Sequence, residues 1–226
     1  DFWVENQAGA WATKYDFDAL KNGLVKKEAL PVKRVAPMQA FVFNLRRKQF
    51  EDPRVRQAFG LLFNFEESNK KLFYDLYVRV GSFFENSELA AKGLPDGKEL
   101  EILNEVKSEV PPEVFTTEWK NPVNVEQGDY RKNQQAAMKL LNAAGWTLGS
   151  DRVLKNAAGE PLIAEFLIDG DTFERIILPY VKDLETLGIK ASVRVVDSSQ
   201  YKQREDRRDF DVIVDNFAQS ESPGNE

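Results

Sequence analysis

The side chains able to do chemistry are restricted in kind. The 226 residues contain no histidine and no cysteine, which removes the commonest general base, the thiol nucleophile and most zinc or iron ligands. Carboxylates, lysines, tyrosines and hydroxyls remain. Adjacent acids such as Glu66–Glu67 and Glu205–Asp206 suggest glycoside hydrolysis, but that reaction needs two carboxyls facing each other across a bond. Neighbours on a helix point about 100° apart, so these pairs are not expected to converge. "LIDGDTF" (167–173) alternates acids yet lacks the glutamate that a calcium-binding EF-hand loop requires. Asp169 and Asp171 read instead as a turn that caps a helix at Thr172. No metal or cofactor is expected, and a carboxylate-dependent hydrolase would need convergent acids that the spacing does not supply. These exclusions tilt the chain from enzyme toward binding protein.

Four arginines in "FNLRRKQFEDPRVRQAFGLLFNFEESN" (43–69) are the next candidates. Arg54 and Arg56 fall in the first turns of a helix opened by Asp52 and Pro53. They read as scaffold, pairing with Glu51 and Asp52. Arg46 and Arg47, with Asn44 just before them, follow a strand end, where an α/β fold tends to present its site. Either arginine can grip a ligand carboxylate or phosphate bidentately; the alternative is a solvated face.

The elements that must position these groups follow from periodicity. "QAFVFNL" (39–45) alternates as a strand. Asp52 caps and Pro53 starts a helix carrying Val55, Ala58, Phe59 and Leu62 on one face. Asn64 and Glu67 resemble a capping box for a second helix over 65–77. Residues 81–125 are rich in turns around one short helix near 99–108. Helical spacing returns over 130–144, with Gly145 as its C-terminal cap. "RVLKNAAGEPL" (152–162) reads as a hairpin. Strands at "LIAEFLI", "IKASVRVV" and "DFDVIVDNF", separated by helices, then make two strand–helix–strand units with parallel pairing and right-handed crossovers. No repeat or linker divides the chain, so a single α/β lobe over 1–226 is expected.

The apolar share of 42%, the charged share of 30% and the net charge of -6 fit a soluble globular protein. They argue against a nucleic-acid surface, which needs a basic excess on one face. No apolar run approaches the length of a membrane span, and the first residues lack the features of a signal peptide. The last stretch, "FAQSESPGNE", follows a strand without a closing element and reads as a cut in a longer chain.

Three blocks, "FVFNLRRKQFEDPRVRQAF", "NQQAAMKLLNAAGW" and "YVKDLETLGIKASVRVVDSSQYKQREDRRDFDVIV", resemble the second lobe of the extracytoplasmic solute-binding proteins of ABC importers, in the oligopeptide and dipeptide family. "GLLFNFEESNKKLFYDLYVRVGSFFENSELAAKGLPDGKELEIL" is similar to the Yej-type branch, associated with uptake of peptides and microcin C. The resemblance implies a periplasmic-binding-protein-like fold of class II, cluster C: an α/β lobe with a mixed sheet and flanking helices. Stretches 1–20 and 215–226 would be the segments crossing to a first lobe of the same protein. It further implies a periplasmic location, a peptide or peptide-like ligand, a membrane permease as partner and a monomeric state, with a non-peptide solute as the alternative.

Candidate contacts follow from the same resemblance. "SFFENSE" (82–88) borders the cleft in that family, so Phe83 or Phe84 can stack on a bound peptide, with Tyr77 and Arg79 just upstream. At the last strand exit many relatives carry a Gly-Trp pair and then an aspartate that holds the ligand's amino terminus. Here Asn216, Phe217, Ala218, Gln219 and Ser220 occupy those places. Ser220 replaces the aspartate, so either Asp215 or Glu221 supplies the charge instead or the ligand is held differently.

Overall fold

The computed structural model describes residues 1–222. Helices α1 (Ala8–Thr13) and α2 (Asp18–Lys21) come first, then strand β1 (Met38–Phe43) and helices α3 (Lys48–Glu51), α4 (Pro53–Leu62), α5 (Phe65–Phe73), α6 (Gly97–Glu105) and α7 (Asp129–Ala143). The order continues with β2 (Thr147–Leu148), β3 (Leu154–Lys155), β4 (Ile163–Asp169), α8 (Glu174–Thr186), β5 (Lys190–Val196), α9 (Ser198–Asp206) and β6 (Val212–Phe217). Among the described residues no helix is long and apolar enough to cross a membrane.

The chain divides into two compact units. Unit 1 comprises Asp1–Ala29, Ala40–Val78 and Pro122–Asp215; unit 2 comprises Leu30–Gln39, Arg79–Asn121 and the stretch beginning at Asn216. Each unit is assembled from three stretches of sequence, and two of the divisions fall inside β1 and β6. At those two divisions the sequence offers no linker, whereas the turn-rich stretch 81–125 nearly coincides with the Arg79–Asn121 part of unit 2.

In unit 1 the sheet order is β1-β6-β4-β5. β4 pairs in parallel with β5, Phe166 opposite Val193, and with β6, Phe166 opposite Val212. Both strand–helix–strand units expected from the sequence are thus present, with β5 and β6 on either side of β4. A central parallel strand is covered on both faces. Accordingly Ala164, Phe166 and Ile168 enter the main core with residues of α4, α7 and α8, while Leu167 packs on the other face with Phe210 and Ile213. Phe41, Phe63, Phe166 and Tyr180 cluster with ring centroids 5.2–5.5 Å apart, and the Tyr180 hydroxyl donates to the Phe59 carbonyl at 2.7 Å.

Local signals are met in most places. Asp52 Oδ1 accepts from the Arg54 N–H at 2.8 Å, capping α4, and Asn64 caps α5 through the Glu67 N–H. The hairpin at 152–162 closes through the Leu162 N–H to the Leu154 carbonyl, 2.9 Å. Two expectations fail. Neither Asp169 nor Asp171 caps α8: the helix starts at Glu174 without a side-chain cap, and the Asp169 carboxylate accepts from Ser198 instead. The second helix ends at Phe73, not Tyr77, because Tyr74 and Asp75 both adopt left-handed backbone, φ 56° and 58°.

In unit 2, Val35 and Ser82 are the buried residues among those described. The turn at 81–91 is organised by polar groups. Ser82 Oγ accepts from the N–H groups of Phe84 and Ala91, both at 3.2 Å. Glu85 Oε2 accepts from the Gly81 N–H at 3.0 Å, and Asn86 Nδ2 donates to the carbonyls of Val32 and Arg34, both at 2.8 Å.

Candidate functional site

The arginine cluster separates by what each guanidinium touches. Arg54 chelates Asp52, Nη2 to Oδ2 at 2.6 Å, and this hydrogen bond holds the Asp52 carboxyl below its ordinary range. Arg56 binds no carboxylate: its Nη1 donates to the carbonyls of Phe50 and Glu51 at 2.5 and 2.9 Å, serving the open C-terminal end of α3. Arg54 thus makes the carboxylate pair expected at the helix entry, whereas Arg56, expected to pair with Glu51 or Asp52, binds backbone carbonyls instead.

Asn44 and Arg47 are engaged in joining the end of β1 to the start of β6. Asn44 is buried, and its Nδ2 donates to the carbonyls of Arg208 and Phe210, both at 2.8 Å. Arg47 Nε donates to the Phe210 carbonyl at 3.2 Å and lies 3.2 Å from Asp211, while Nη2 pairs with Asp209 at 3.0 Å. Asp211 Oδ2 also accepts from the Glu165 N–H at 3.1 Å. Burial pushes the Asp211 carboxyl above its ordinary value despite that hydrogen bond and Arg47. Arg46 is exposed.

The acid pairs are partnered rather than poised. Glu205 and Asp206 both reach Lys202 at 2.9 Å, so they converge on an ammonium through (i, i+3) and (i, i+4) spacing. Glu66 accepts from the Asn124 N–H at 3.1 Å, and Glu67 pairs with Lys71.

Unit 2 gathers a different set. Phe217, the last residue of β6, meets Phe83 edge to face with centroids 5.9 Å apart. Phe83 keeps 49% of its surface exposed. Phe84 and Arg79 are half-buried; Gln219, Ser220 and Glu221 are exposed, and the Ser220 hydroxyl donates to the Ser222 carbonyl at 2.6 Å. The crossing stretch expected over 215–226 lies outside the described residues beyond Ser222. Glu221 shares with Glu85, Asn86, Ser87, Glu88, Ala90 and Lys92 the wall of an open concavity of about 660 Å³. Three carboxylates against one lysine give that wall a negative field, suited to a cationic group. Phe83, Phe217 and Glu221 were named from sequence. Glu85, Glu88 and Lys92 were not, because a concavity built by a polar turn has no periodic pattern; the one signal was Asn86, a residue type that tolerates the left-handed φ of 65° it adopts.

The model of "Bacterial extracellular solute-binding proteins, family 5 Middle" matches residues 1–226. The "Probable peptide-binding protein YejA" of Agrobacterium fabrum is 50% identical over 100% of this chain and 37% of its own length. The "Peptidoglycan-binding protein YepA" of the same organism is 30% identical over 96% of this chain and 35% of its own length. Among solved structures, the oligopeptide-binding protein AppA of Bacillus subtilis, in complex with a nonapeptide, superposes with a TM-score of 0.60 at 17% identity, covering 84% of this chain and 32% of that one. An oligopeptide-binding protein OppA gives 0.60 at 21% identity, covering 85% and 28%. The chain spans about a third of the length of the curated relatives it matches. Several of these relatives carry the names of binding proteins, and the chain belongs to the bacterial extracellular solute-binding proteins of family 5.

Proposed function

We propose that this chain is the second, ligand-clamping lobe of a periplasmic peptide-binding protein that serves an ABC importer. The single observation carrying the reading is the Phe83–Phe217 pair in the unit that also holds the Glu85, Glu88 and Glu221 wall. The half-exposed Phe83 offers an apolar surface to a peptide side chain. The three glutamates suit an ammonium group, whether the peptide's amino terminus or a basic side chain, and so replace the aspartate whose place Ser220 takes. Family membership and the similarity to a probable peptide-binding protein support peptide as the ligand class. Arg79, Phe84, Gln219 and Ser220 complete the proposed contacts in unit 2, and Arg46 is proposed separately, in unit 1, as an exposed cation able to take a carboxylate. Asn44 and Arg47 are assigned to holding the sheet. The ligand would be enclosed between this lobe and a first lobe of the same monomer, with closure presented to the permease. The net charge of -6 supports no nucleic-acid partner.

The test is direct. The full-length protein, purified from periplasm and denatured, should release peptides identifiable by mass spectrometry, and short peptides should bind it in calorimetry. Release of saccharides with no peptide binding would overturn the reading.

A further inference from the structure

The stretch that leaves α2 is anchored by the residue type least suited to the task. From Asn22 to Ala29, all within unit 1, every residue is exposed except Lys27, and no regular structure follows α2 until β1. A surface stretch ordinarily tucks in its leucines and valines and leaves its lysines outside. Here Leu24 keeps 82% of its surface in water, and the half-buried side chain is the lysine.

A slot of two aromatic rings holds it. The Lys27 ammonium sits 4.3 Å from the centroid of the Trp11 ring and 5.4 Å from that of Tyr15, within reach of the attraction between a cation and the face of a ring. Nζ also donates to the Trp11 carbonyl at 2.5 Å, one of the last four of α1, where a cation is favoured. The two rings lie 6.0 Å apart at 50°, and the Tyr15 hydroxyl is fixed by donating to Glu5 Oε2 at 3.0 Å. Trp11, Tyr15 and Glu5 are half-buried and belong to the same unit as Lys27. The N–H groups of Leu24 and Val25 return to the Ala19 carbonyl at 2.9 and 3.1 Å. Past them, among the described residues, the hydrogen bond and ring contacts of Lys27 are what ties 26–29 to the rest of unit 1.

An ammonium makes a releasable anchor. A leucine leaving such a slot carries apolar surface into water, whereas an ammonium regains strong hydration, so opening costs little beyond the ring contacts and one hydrogen bond. We propose that residues 22–29 form a strap latched into the Trp11–Tyr15 slot by Lys27, and that the latch is the positive charge rather than the aliphatic stem. Ala29 ends this part of unit 1 and the chain continues into unit 2 at Leu30, so the latch sets how much of the chain leaving unit 1 is held and how much is free. The inference goes beyond the peptide-binding reading and does not depend on it.

The experiment follows cleavage of the full-length protein after Glu28 by a glutamate-specific protease, with the cut identified by mass spectrometry. Cleavage needs the strap lifted, so its rate at fixed protease concentration reads how often the latch is open. Lys27→Met keeps a long unbranched side chain and loses the charge; it should be cut about tenfold faster than wild type. Lys27→Arg keeps the charge and stacks on aromatic faces, so its rate should stay within about threefold of wild type. Trp11→Leu should also be cut faster, and adding Lys27→Met to it should bring no further increase, because both remove the same contact. Lys27 packs in neither hydrophobic cluster, so if Trp11→Leu fails to fold, the comparison of Lys27→Met with Lys27→Arg still decides. Lys27→Met cut as slowly as wild type, or Lys27→Arg cut as fast as Lys27→Met, overturns the charge latch. So does a wild type cut at the rate of an unstructured peptide of the same sequence.

Discussion

Unit 1 buries Phe50, Phe59 and Phe166 to 1% exposure or less, whereas unit 2 leaves Phe83 half exposed and, among the described residues, buries Val35 and Ser82. The two regions use aromatic residues for opposite ends. Around β4 in unit 1 the rings interlock, with edge-to-face pairs such as Phe43–Phe59 at 5.3 Å, and Phe50, Phe59 and Phe166 are covered by their neighbours, whereas rings of unit 1 away from this core, such as Trp3 and Tyr74, stay exposed. In unit 2 Phe83 and Phe217 touch each other, and much of the surface of Phe83 remains in water. A ring in a full core contributes to folding. One held in place but uncovered is available to a ligand.

The largest test of that contrast is Phe59→Ala. Phe59 is fully buried between Phe43 and Phe50, and its carbonyl accepts the Tyr180 hydroxyl. Truncation should cost roughly 3–5 kcal/mol through lost burial and the cavity left behind, a large part of the stability of a typical domain. Chemical unfolding should show the midpoint collapsing. A shift of less than about 1 kcal/mol would mean that the core relaxes around the hole and that unit 1 is less tightly interlocked than its ring geometry implies.

Gly188→Ala probes the same unit through its backbone. Gly188 has φ +90°, and an added Cβ would lie 2.6 Å from Leu148 Cδ1 and 2.7 Å from the Arg152 carbonyl oxygen. The leucine can move, but the carbonyl belongs to the β2–β3 connection, whose Leu154 N–H donates to the Gly188 carbonyl at 2.8 Å. Left-handed strain plus a backbone clash should cost about 2 kcal/mol or more, read as a lowered melting temperature with ligand affinity unchanged. Wild-type stability in the variant would show that the hairpin yields freely.

Unit 1 was legible in sequence because its rules are periodic. β4 announced itself as an apolar run, Asp52-Pro53 as a helix start, and Gly145, φ +89°, as a helix end. The failures are equally physical. Tyr74 caps α5 in a left-handed position that its residue type disfavours, its N–H donating to the Asn69 carbonyl. Two of the unit boundaries were invisible because they cut through β1 and β6. In unit 2 the aromatic pair could be named from "SFFENSE" and the exit of β6, but the acidic wall could not. Glu85 and Glu88 are brought to it by Ser82, Asn86 and their hydrogen bonds, not by any spacing.

Phe217→Ala tests the other side of the comparison. The ring is partly exposed and meets Phe83 alone among the aromatic contacts described, so folding should lose about 1 kcal/mol or less. Peptide affinity should fall about tenfold, near 1.4 kcal/mol, if the pair forms a ligand wall. Calorimetry on the full-length protein separates the two quantities. A large stability loss with unchanged affinity would place Phe217 in the same role as Phe59 and erase the contrast.

The smallest effect concerns charge rather than rings. Asp211 lies at the start of β6 with 15% of its side chain exposed, held by Arg47 and the Glu165 N–H, and burial raises its pKa above the ordinary carboxylate value. A raised value means that the folded state binds a proton where the unfolded state has already released it. This site therefore adds its full stabilisation below the unfolded pKa, and that contribution is lost as pH rises through the window up to the folded one. Asp211→Asn removes the titration and keeps a carbonyl oxygen able to accept from the Glu165 N–H. The variant should gain stability relative to wild type as pH rises through that window, measured as the difference in urea midpoints over an acidic pH series. If the variant instead falls behind wild type as pH rises, the ion pair with Arg47 outweighs burial. The junction of β1 and β6 would then be an electrostatic clasp that needs its charge, in contrast to the apolar core beside it.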